Sequence, residues 1–402
     1  MKYIRNLTLF ALSMLIFAAC TESSGDGSLT TVSSTELPAG LGFLASQKAF
    51  EPQVTILSDD SLVLTWREKS EAGSNIFASV READGHFGDP VRINDVDDTV
   101  ESYTHDGMRI SIAVGAGNTI AIAWPDGRAQ VRAAISNDGG KSFQPSIQLD
   151  QSDGPAYRAY PTISFDPTGT LHAIWIDSRF AENFAEEPAD LFYASVKDGV
   201  VTEKNLTAEQ EPSICGCCRT FIRADSESVR MTFRNTSADG FRDPNTISGT
   251  LDGEFSQPRA VSEPLWELRG CPMAGPVQAN GDVLWHDGST GKKLLMIADP
   301  DSQTATGVFN DEQRNNWIGR RPPRAISTAR NQTPVLLLPG EPNSRLIAQV
   351  EREWTTIEET LPIWSTSGAY DGSVLYLVGA PGGEFHIAQY KLADETRRRF
   401  DL

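Results

Sequence analysis

The chain has 402 residues, with 54 acidic against 35 basic side chains and a formal net charge of −19 at pH 7. A surface this anionic argues against nucleic-acid binding as the main task, because contacts to phosphates need a basic face. Length alone would allow two average domains, but a repeat architecture can use the same length in one.

The N-terminus reads MKYIRNLTLFALSMLIFAAC, with Lys2 and Arg5 ahead of an apolar run from Leu7 to Phe17, then two small residues and Cys20. That is an export signal, too short for a transmembrane anchor. Its FAAC ending resembles the lipobox of bacterial lipoproteins, with Phe17 where an aliphatic residue is usual. The resemblance implies cleavage before Cys20 and lipidation of that cysteine; an ordinary secretory signal is the alternative. Thr21, not Asp, follows the cysteine, which in Gram-negative sorting implies the outer membrane. Without the lipid, the protein would be periplasmic or secreted. Losing the signal removes Lys2 and Arg5 and leaves the mature chain more acidic still. Residues 21–45 are rich in Ser, Thr and Gly with nothing to bury, and read as a flexible polar tether. Residues 46–402 read as one domain.

From residue 50 on there is no long segment of helical period. Short alternating apolar runs are bounded by Gly, Asp, Asn and Pro, and they recur: LVLTW at 62–66, IAIAW at 120–124, LHAIW at 171–175, VRMTF at 229–233, GDVLW at 281–285, PVLLL at 334–338 and VLYLV at 374–378. Their starts lie 40 to 58 residues apart, the size of a four-stranded blade with its loops. Most are preceded by a turn carrying Asp, Gly or Asn and followed by a second strand such as NIFASV or DLFYASV. One such sheet cannot cover both its faces, but a ring of them can. The expectation is all-β: a β-propeller of four-stranded antiparallel blades, six or seven in number, with a β-sandwich as the alternative.

The segment SNDGGKSF, Ser136 to Phe143, carries turn chemistry. Asp138 can accept bonds from backbone N–H groups, Gly139 and Gly140 supply positive φ, and Phe143 tucks under the hairpin. It resembles the Asp-box of the sialidase and BNR-repeat propellers, with Ser142 for Thr and Phe143 for Trp. Weaker echoes stand at READGHFGDP, SVKDGVV and TLDGEFSQP. The resemblance extends over nearly the whole mature chain at the level of the repeat, although sialidase-like enzymes have six blades and seven runs are present here.

Enzymes of that family hold the substrate carboxylate with three arginines, use an aspartic acid as acid/base and attack with a tyrosine helped by a glutamate. Planar guanidinium groups suit a carboxylate, and an oxocarbenium-like transition state wants an anionic nucleophile beneath it. In YRAYPTISFDPTGTLHAIWIDSR, Arg158 would match the first arginine, although it stands three residues before Pro161 where the family has two. Arg234 and Arg242 are the other candidate grips. Asp126, Asp177 and Asp287 each follow a blade's apolar strand, and the resemblance makes Asp126 or Asp177 the acid/base. The plainer reading is that each aspartate caps a turn while Arg128 or Arg179 pairs with a neighbour. Tyr370 is the candidate nucleophile, though no glutamate partner is evident. If the protein is an enzyme, the implied activity is that of an exo-α-sialidase-like glycoside hydrolase; otherwise a glycan-binding relative is expected, with an acidic sugar or another small molecule as ligand.

With Cys20 lipidated, Cys215, Cys217, Cys218 and Cys271 remain. In an exported protein an even number favours disulfides, here a double clasp with Cys271 meeting the cluster. Alternatively, three or four thiolates would suit Cu(I) or Zn(II), with Met273 nearby, although the spacing is not that of a zinc ribbon. The C-x-C-C cluster followed by W-x-L-x-x-CP also looks like a group of secreted BNR-repeat propellers, which implies that the four cysteines act together. Such a site would make the protein a non-enzymatic envelope scaffold or metal-handling protein. The five histidines read as ordinary polar or packed residues, and no phosphate loop, nucleophile elbow or H-E-x-x-H is present.

Overall fold

The computed structural model describes residues 29–31, 49–100, 110–127, 130–181, 189–208, 214–237, 239–263, 266–268, 274–309, 323–328, 335–340, 343–351, 353–362 and 365–400. Cys20, Arg128, Cys271 and Met273 lie outside them.

Seven sheets form the blades of a β-propeller. Blade 1 runs from Ala49–Ile56 to Val91–Arg92, blade 2 from Ser111–Val114 to Ile147–Gln148 and blade 3 from Arg158–Phe165 to Val200–Asn205. Blade 4 runs from Phe221–Ala224 to Arg259–Ala260, blade 5 from Val277–Ala279 to Thr306–Gly307 and blade 6 from Arg324–Ala325 to Glu353–Leu361. Blade 7 contains Ser367–Tyr370, Val374–Gly379 and His386–Leu392, and its outermost strand is Leu29–Thr31. Leu29 pairs with Leu392 and Thr31 with Tyr390, so the N-terminal side of the chain closes the ring. Within the stretch at 21–45, Leu29–Thr31 pairs its backbone with a strand that would otherwise have an open side. A short helix, Asp394–Phe400, follows.

Residues 62–66, 120–124, 171–175, 229–233, 282–285, 335–338 and 374–378 of the seven runs lie in the second strands of their blades, and the blades number seven. Each blade is sandwiched between neighbours, so an inner strand is covered on both faces and reads as a continuous run. Every residue of Ile120–Asp126 and Leu171–Asp177 is buried, whereas the outer strand Val200–Asn205 alternates exposed and half-buried residues.

In the first five blades the aromatic that ends the run joins the core shared with the preceding blade. Trp66 shares a core with Ala369 and Tyr376 of blade 7, Trp124 with Val63 of blade 1, Trp175 with Ala121 of blade 2, and Phe233 with Ile174 of blade 3. Between blades 4 and 5 the described apolar core is smaller: Val261, Val283, Trp285 and Ala298, with Met296 and Ala305 against it.

The turn at Ser136–Phe143 joins the third and fourth strands of blade 2. Asp138 Oδ1 accepts from Ser142 N at 2.9 Å, Gly140 N donates to Ser136 Oγ at 2.8 Å, and Gly139 and Gly140 have φ of 76° and 90°. Phe143 packs against the core of blades 1 and 2. The weaker echoes occupy the same hairpin in other blades, with Gly85, Gly199 and Gly253 at positive φ.

A bulge in the first strand of blade 3 accounts for the odd spacing before Pro161. The register shifts between Ala159 and Thr162, Tyr160 takes φ 54°, and Arg158 lands opposite Asp177. Blade 1 repeats the device at Glu51, φ 52°.

Candidate functional site

One position recurs on the face where second strands turn into third strands. One or two residues past its aromatic, each of the first five blades buries a charged side chain: Arg67, Asp126, Asp177, Arg234 and Asp287. The aromatic fills the core between blades, and the strand then reaches the rim, where a buried charge requires partners. Asp126 ends its strand beside a bridge to Val100. Asp287 Oδ1 accepts from Ser289 N at 2.9 Å, which is the turn-capping role.

In blade 3 the position is an ion network. Asp177 Oδ2 accepts from Arg158 Nε at 3.0 Å, Arg179 Nη2 at 2.6 Å and Trp175 Nε1 at 3.0 Å. Arg158 also lies 3.4 Å from Asp150 and donates to the Gly154 carbonyl, and Arg179 reaches Glu203 at 2.7 Å. Burial pushes the Asp150 carboxyl above its ordinary range against the pull of the Val131 N–H and Arg158. The geometry thus couples Arg158 and Asp177 to each other, with protein carboxylates around the arginine and donors from three residues on one aspartate oxygen.

In blade 4 the same position is Arg234, and its partners are carbonyls. Nε and Nη2 donate to Ala274 O at 3.1 and 2.9 Å, Nη2 to His286 O at 3.0 Å, and Nη1 to Arg242 O. The guanidinium lies 5.4 Å from the Trp266 ring centroid. Arg242 donates from Nη1 to Thr236 Oγ1 and from its backbone to Trp266 O. Arg234 therefore bolts blade 4 to the segments at 274 and 286 of blade 5. It shares this junction with Arg242, and Arg158 belongs to another blade.

The cysteines meet Arg234 through the backbone, since Cys215 N donates to Arg234 O at 2.8 Å. The chain then turns at Gly216–Cys217, so that Cys215 Sγ stands 3.5 Å from the sulfurs of both Cys217 and Cys218. All three sulfurs lie within 4.8 Å of one another, a group that could hold a metal ion. Cys215 and Cys218 are buried free thiols. Cys217 is half-buried and disulfide-bonded, with its partner outside the described residues. The hydrogen bond with Cys218 brings the Cys215 thiol down to about 7, helped by the Cys217 N–H, Arg242 and Arg234 against the opposing effect of burial. Burial and the thiolate beside it push Cys218 up. Gly275 lets the next blade close over this turn, because a Cβ there would stand 2.0 Å from Arg219 O.

Tyr370 does not join these groups. It ends the first strand of blade 7 and leads into the turn at Asp371, on the face of the first-to-second hairpins. It is buried, and burial raises its phenol above the ordinary value, which disfavours the phenolate that a nucleophile needs.

On that opposite face, blades 4 to 6 form a cleft of about 430 Å³. Asn280 Nδ2 donates to Gln349 Oε1 at 3.1 Å and Gln349 Nε2 to Asp282 Oδ2 at 3.2 Å, a row of amides fixed across blades 5 and 6. Arg230 and Arg259 line the wall contributed by blade 4, and Arg259 pairs with Asp301 at 2.7 Å. The residues come from strands more than 100 positions apart, so no run of sequence marks the cleft. Around the propeller axis a smaller cavity is lined by Arg219, Arg324 and Thr162; Arg158, Arg234 and Arg242 are not among its lining residues.

No protein-family model matches the chain, and no curated protein matches it. Solved structures do. A Mycobacterium tuberculosis puromycin-hydrolyzing peptidase is similar with a TM-score of 0.50 at 10% identity, over 86% of this chain and 53% of that one. The GH93 alpha-L-arabinofuranosidase of Fusarium graminearum has a TM-score of 0.44 at 12% identity, over 90% and 98%. A Trypanosoma rangeli sialidase has 0.43 at 12%, over 80% and 57%. The chain spans about half the length of the peptidase. At such identities the likeness is one of fold.

Proposed function

We propose that the protein is an envelope-anchored propeller that binds glycans and does not hydrolyse them. The observation that carries this reading is the cleft formed by blades 4 to 6, whose row of two amides and a carboxylate, Asn280–Gln349–Asp282, is held in place before any ligand arrives. Its volume of about 430 Å³ falls within the range of ligand sites. Amides and carboxylates with fixed directions match sugar hydroxyls, and Arg230 offers a guanidinium for the carboxylate of an acidic sugar. Hydrolysis is left out of the reading because Tyr370 stands on the face opposite Asp126 and Asp177, and because Asp177 is occupied by Arg158 and Arg179. Anchoring would come from a lipid on Cys20.

The test is calorimetric titration of the purified chain with sialylated, uronic-acid and neutral oligosaccharides, with a parallel assay for sugar release. Binding of an acidic oligosaccharide that weakens at least about tenfold in Arg230→Ala and Gln349→Ala, without release, supports the reading. Release of sugar by the wild type and by Arg230→Ala alike would place chemistry on the other face and overturn it, as would no binding by folded protein. Radiolabelled fatty acid incorporated into the wild type but not into Cys20→Ala tests the anchor.

A second reading is favoured by the grouping of the Cys215, Cys217 and Cys218 sulfurs within 4.8 Å: once Cys217 is reduced, three thiolates would suit Cu(I) or Zn(II). Metal analysis of anaerobically purified, reduced protein decides it, and a metal content near zero ends it.

A further inference from the structure

The C-x-C-C cluster contains a C-x-x-C pair, Cys215 and Cys218, and the structure treats these two unlike the third. Both are free and buried, while Cys217 between them is disulfide-bonded and half-buried. Their sulfurs are 3.5 Å apart, with the Cys215 thiol donating to Cys218. They sit at either end of one tight turn, closed by Cys218 N donating to Cys215 O at 3.4 Å. A disulfide needs about 2.05 Å between sulfurs, so bond formation asks the two sulfurs to approach by about 1.5 Å inside one tight turn.

The environment also separates the roles of the two sulfurs. Cys215 has its backbone pinned to Arg234; the buried guanidinium of Arg234 and the neighbouring Arg242 favour a sulfur that carries negative charge there. Cys218 is fully buried. Access to the pair is through the Gly216–Cys217 turn, both of whose residues are half-buried.

We propose that Cys215 and Cys218 form a redox-active dithiol that closes to a disulfide by exchange with small disulfides and reopens with small thiols. In the forward direction the Cys215 thiolate attacks one sulfur of a disulfide RSSR. The Cys215–S–R bond forms, the S–S bond breaks, and RS⁻ leaves. The Cys218 thiol then gives up its proton and its sulfur attacks Cys215, forming the Cys215–Cys218 bond and releasing the second RS⁻. Two protein thiols are oxidised, one disulfide is reduced to two thiols, and the second RS⁻ takes its proton from water. This inference is independent of the glycan reading and uses the opposite face of the propeller.

The test equilibrates the full-length protein in mixtures of reduced and oxidised glutathione, quenches with acid, alkylates, digests without reduction and maps the linkages by mass spectrometry. The expected result is that Cys215 and Cys218 lose their alkylatable thiols together over a single transition and appear cross-linked to each other. In Cys218→Ser, glutathione accumulates on Cys215; in Cys215→Ser, the remaining Cys218 thiol reacts at least about tenfold more slowly. Thiols that persist at the oxidised limit in folded wild type overturn the proposal. So does a Cys215–Cys217 cross-link, or glutathione accumulating on Cys218 of Cys215→Ser at the wild-type rate. If either variant fails to fold by circular dichroism, the linkage map of the wild type decides alone.

Discussion

Blades 3 and 4 place an ionic group at the same point, the buried end of the second strand, and satisfy it in opposite ways. In blade 3 the group is Asp177, met by two arginines and a tryptophan N–H. In blade 4 it is Arg234, met by three backbone carbonyls, with the cysteine turn hung from its own carbonyl. The first arrangement cancels charge against charge within the blade and its immediate neighbours. The second leaves a cation whose partners are dipoles, at the junction with the small apolar core around Trp285. A cation held by dipoles still projects positive potential onto the sulfurs beside it. The fold can thus use one scaffold position as a structural rivet in one blade and as the electrostatic floor of a thiol site in the next.

That contrast can be broken most severely at Asp177. Asp177→Ala should lower the unfolding free energy by about 3–5 kcal/mol, because Arg158 and Arg179 lose a shared buried anion; denaturant titration measures it, and a loss below about 1 kcal/mol would mean the network contributes little. Arg234→Met should cost less, roughly 1.5–3 kcal/mol for the lost charged hydrogen bonds, but it should also change the chemistry nearby. The alkylation rate of Cys215 in the wild type should follow a titration centred at about 7, and in Arg234→Met that midpoint should move up toward the ordinary thiol value of 9.0. The sign follows from the thiolate being the reactive form: a lowered value makes the thiol reactive at neutral pH, and the reactivity disappears as pH falls below the midpoint. Asp177→Ala should leave this profile in place, which separates the two blades by a readout that stability alone does not give. The smallest effect is expected at the hairpin of blade 2, where Asp138→Ala should cost roughly 1–2 kcal/mol for the bonds to Ser142 and Ser136 and leave Cys215 untouched.

Asp177 and Arg158 also mark where sequence reading succeeds and stops. The strand LHAIW announces itself because its residues are apolar and a polar turn follows, and the recurrence of such short apolar runs in six other places yields the blades. Which acid is a rivet and which is a reagent is not in that grammar. The pairing of Arg158 with Asp177 depends on the bulge at Tyr160, which the sequence marks only by the extra residue before Pro161. Tyr370 looked available because it stands in a Gly- and Asp-bounded stretch, yet the hand of the hairpin it enters puts it on the opposite face. Cys215, Cys217 and Cys218 were legible as a cluster since adjacency in the chain forces adjacency in space. Their unequal states were not, because these depend on Arg234, Arg242 and the closing of Gly275 over Arg219, contacts made across a blade boundary. The amide row of the cleft is the extreme case, as Asn280 and Gln349 meet only after two blades are stacked.

The latch of the ring has a bearing on how copies of the protein behave toward one another. Leu29–Thr31 occupies the outer flank of His386–Leu392 with three residue pairs. A shortened chain that starts after Thr31 would expose the backbone donors and acceptors of His386–Leu392 along an unpaired edge, and such edges recruit strands from other molecules. Three residues near the start of the chain thus guard solubility as well as closure, and their loss would be felt first as self-association, ahead of any loss of a ligand.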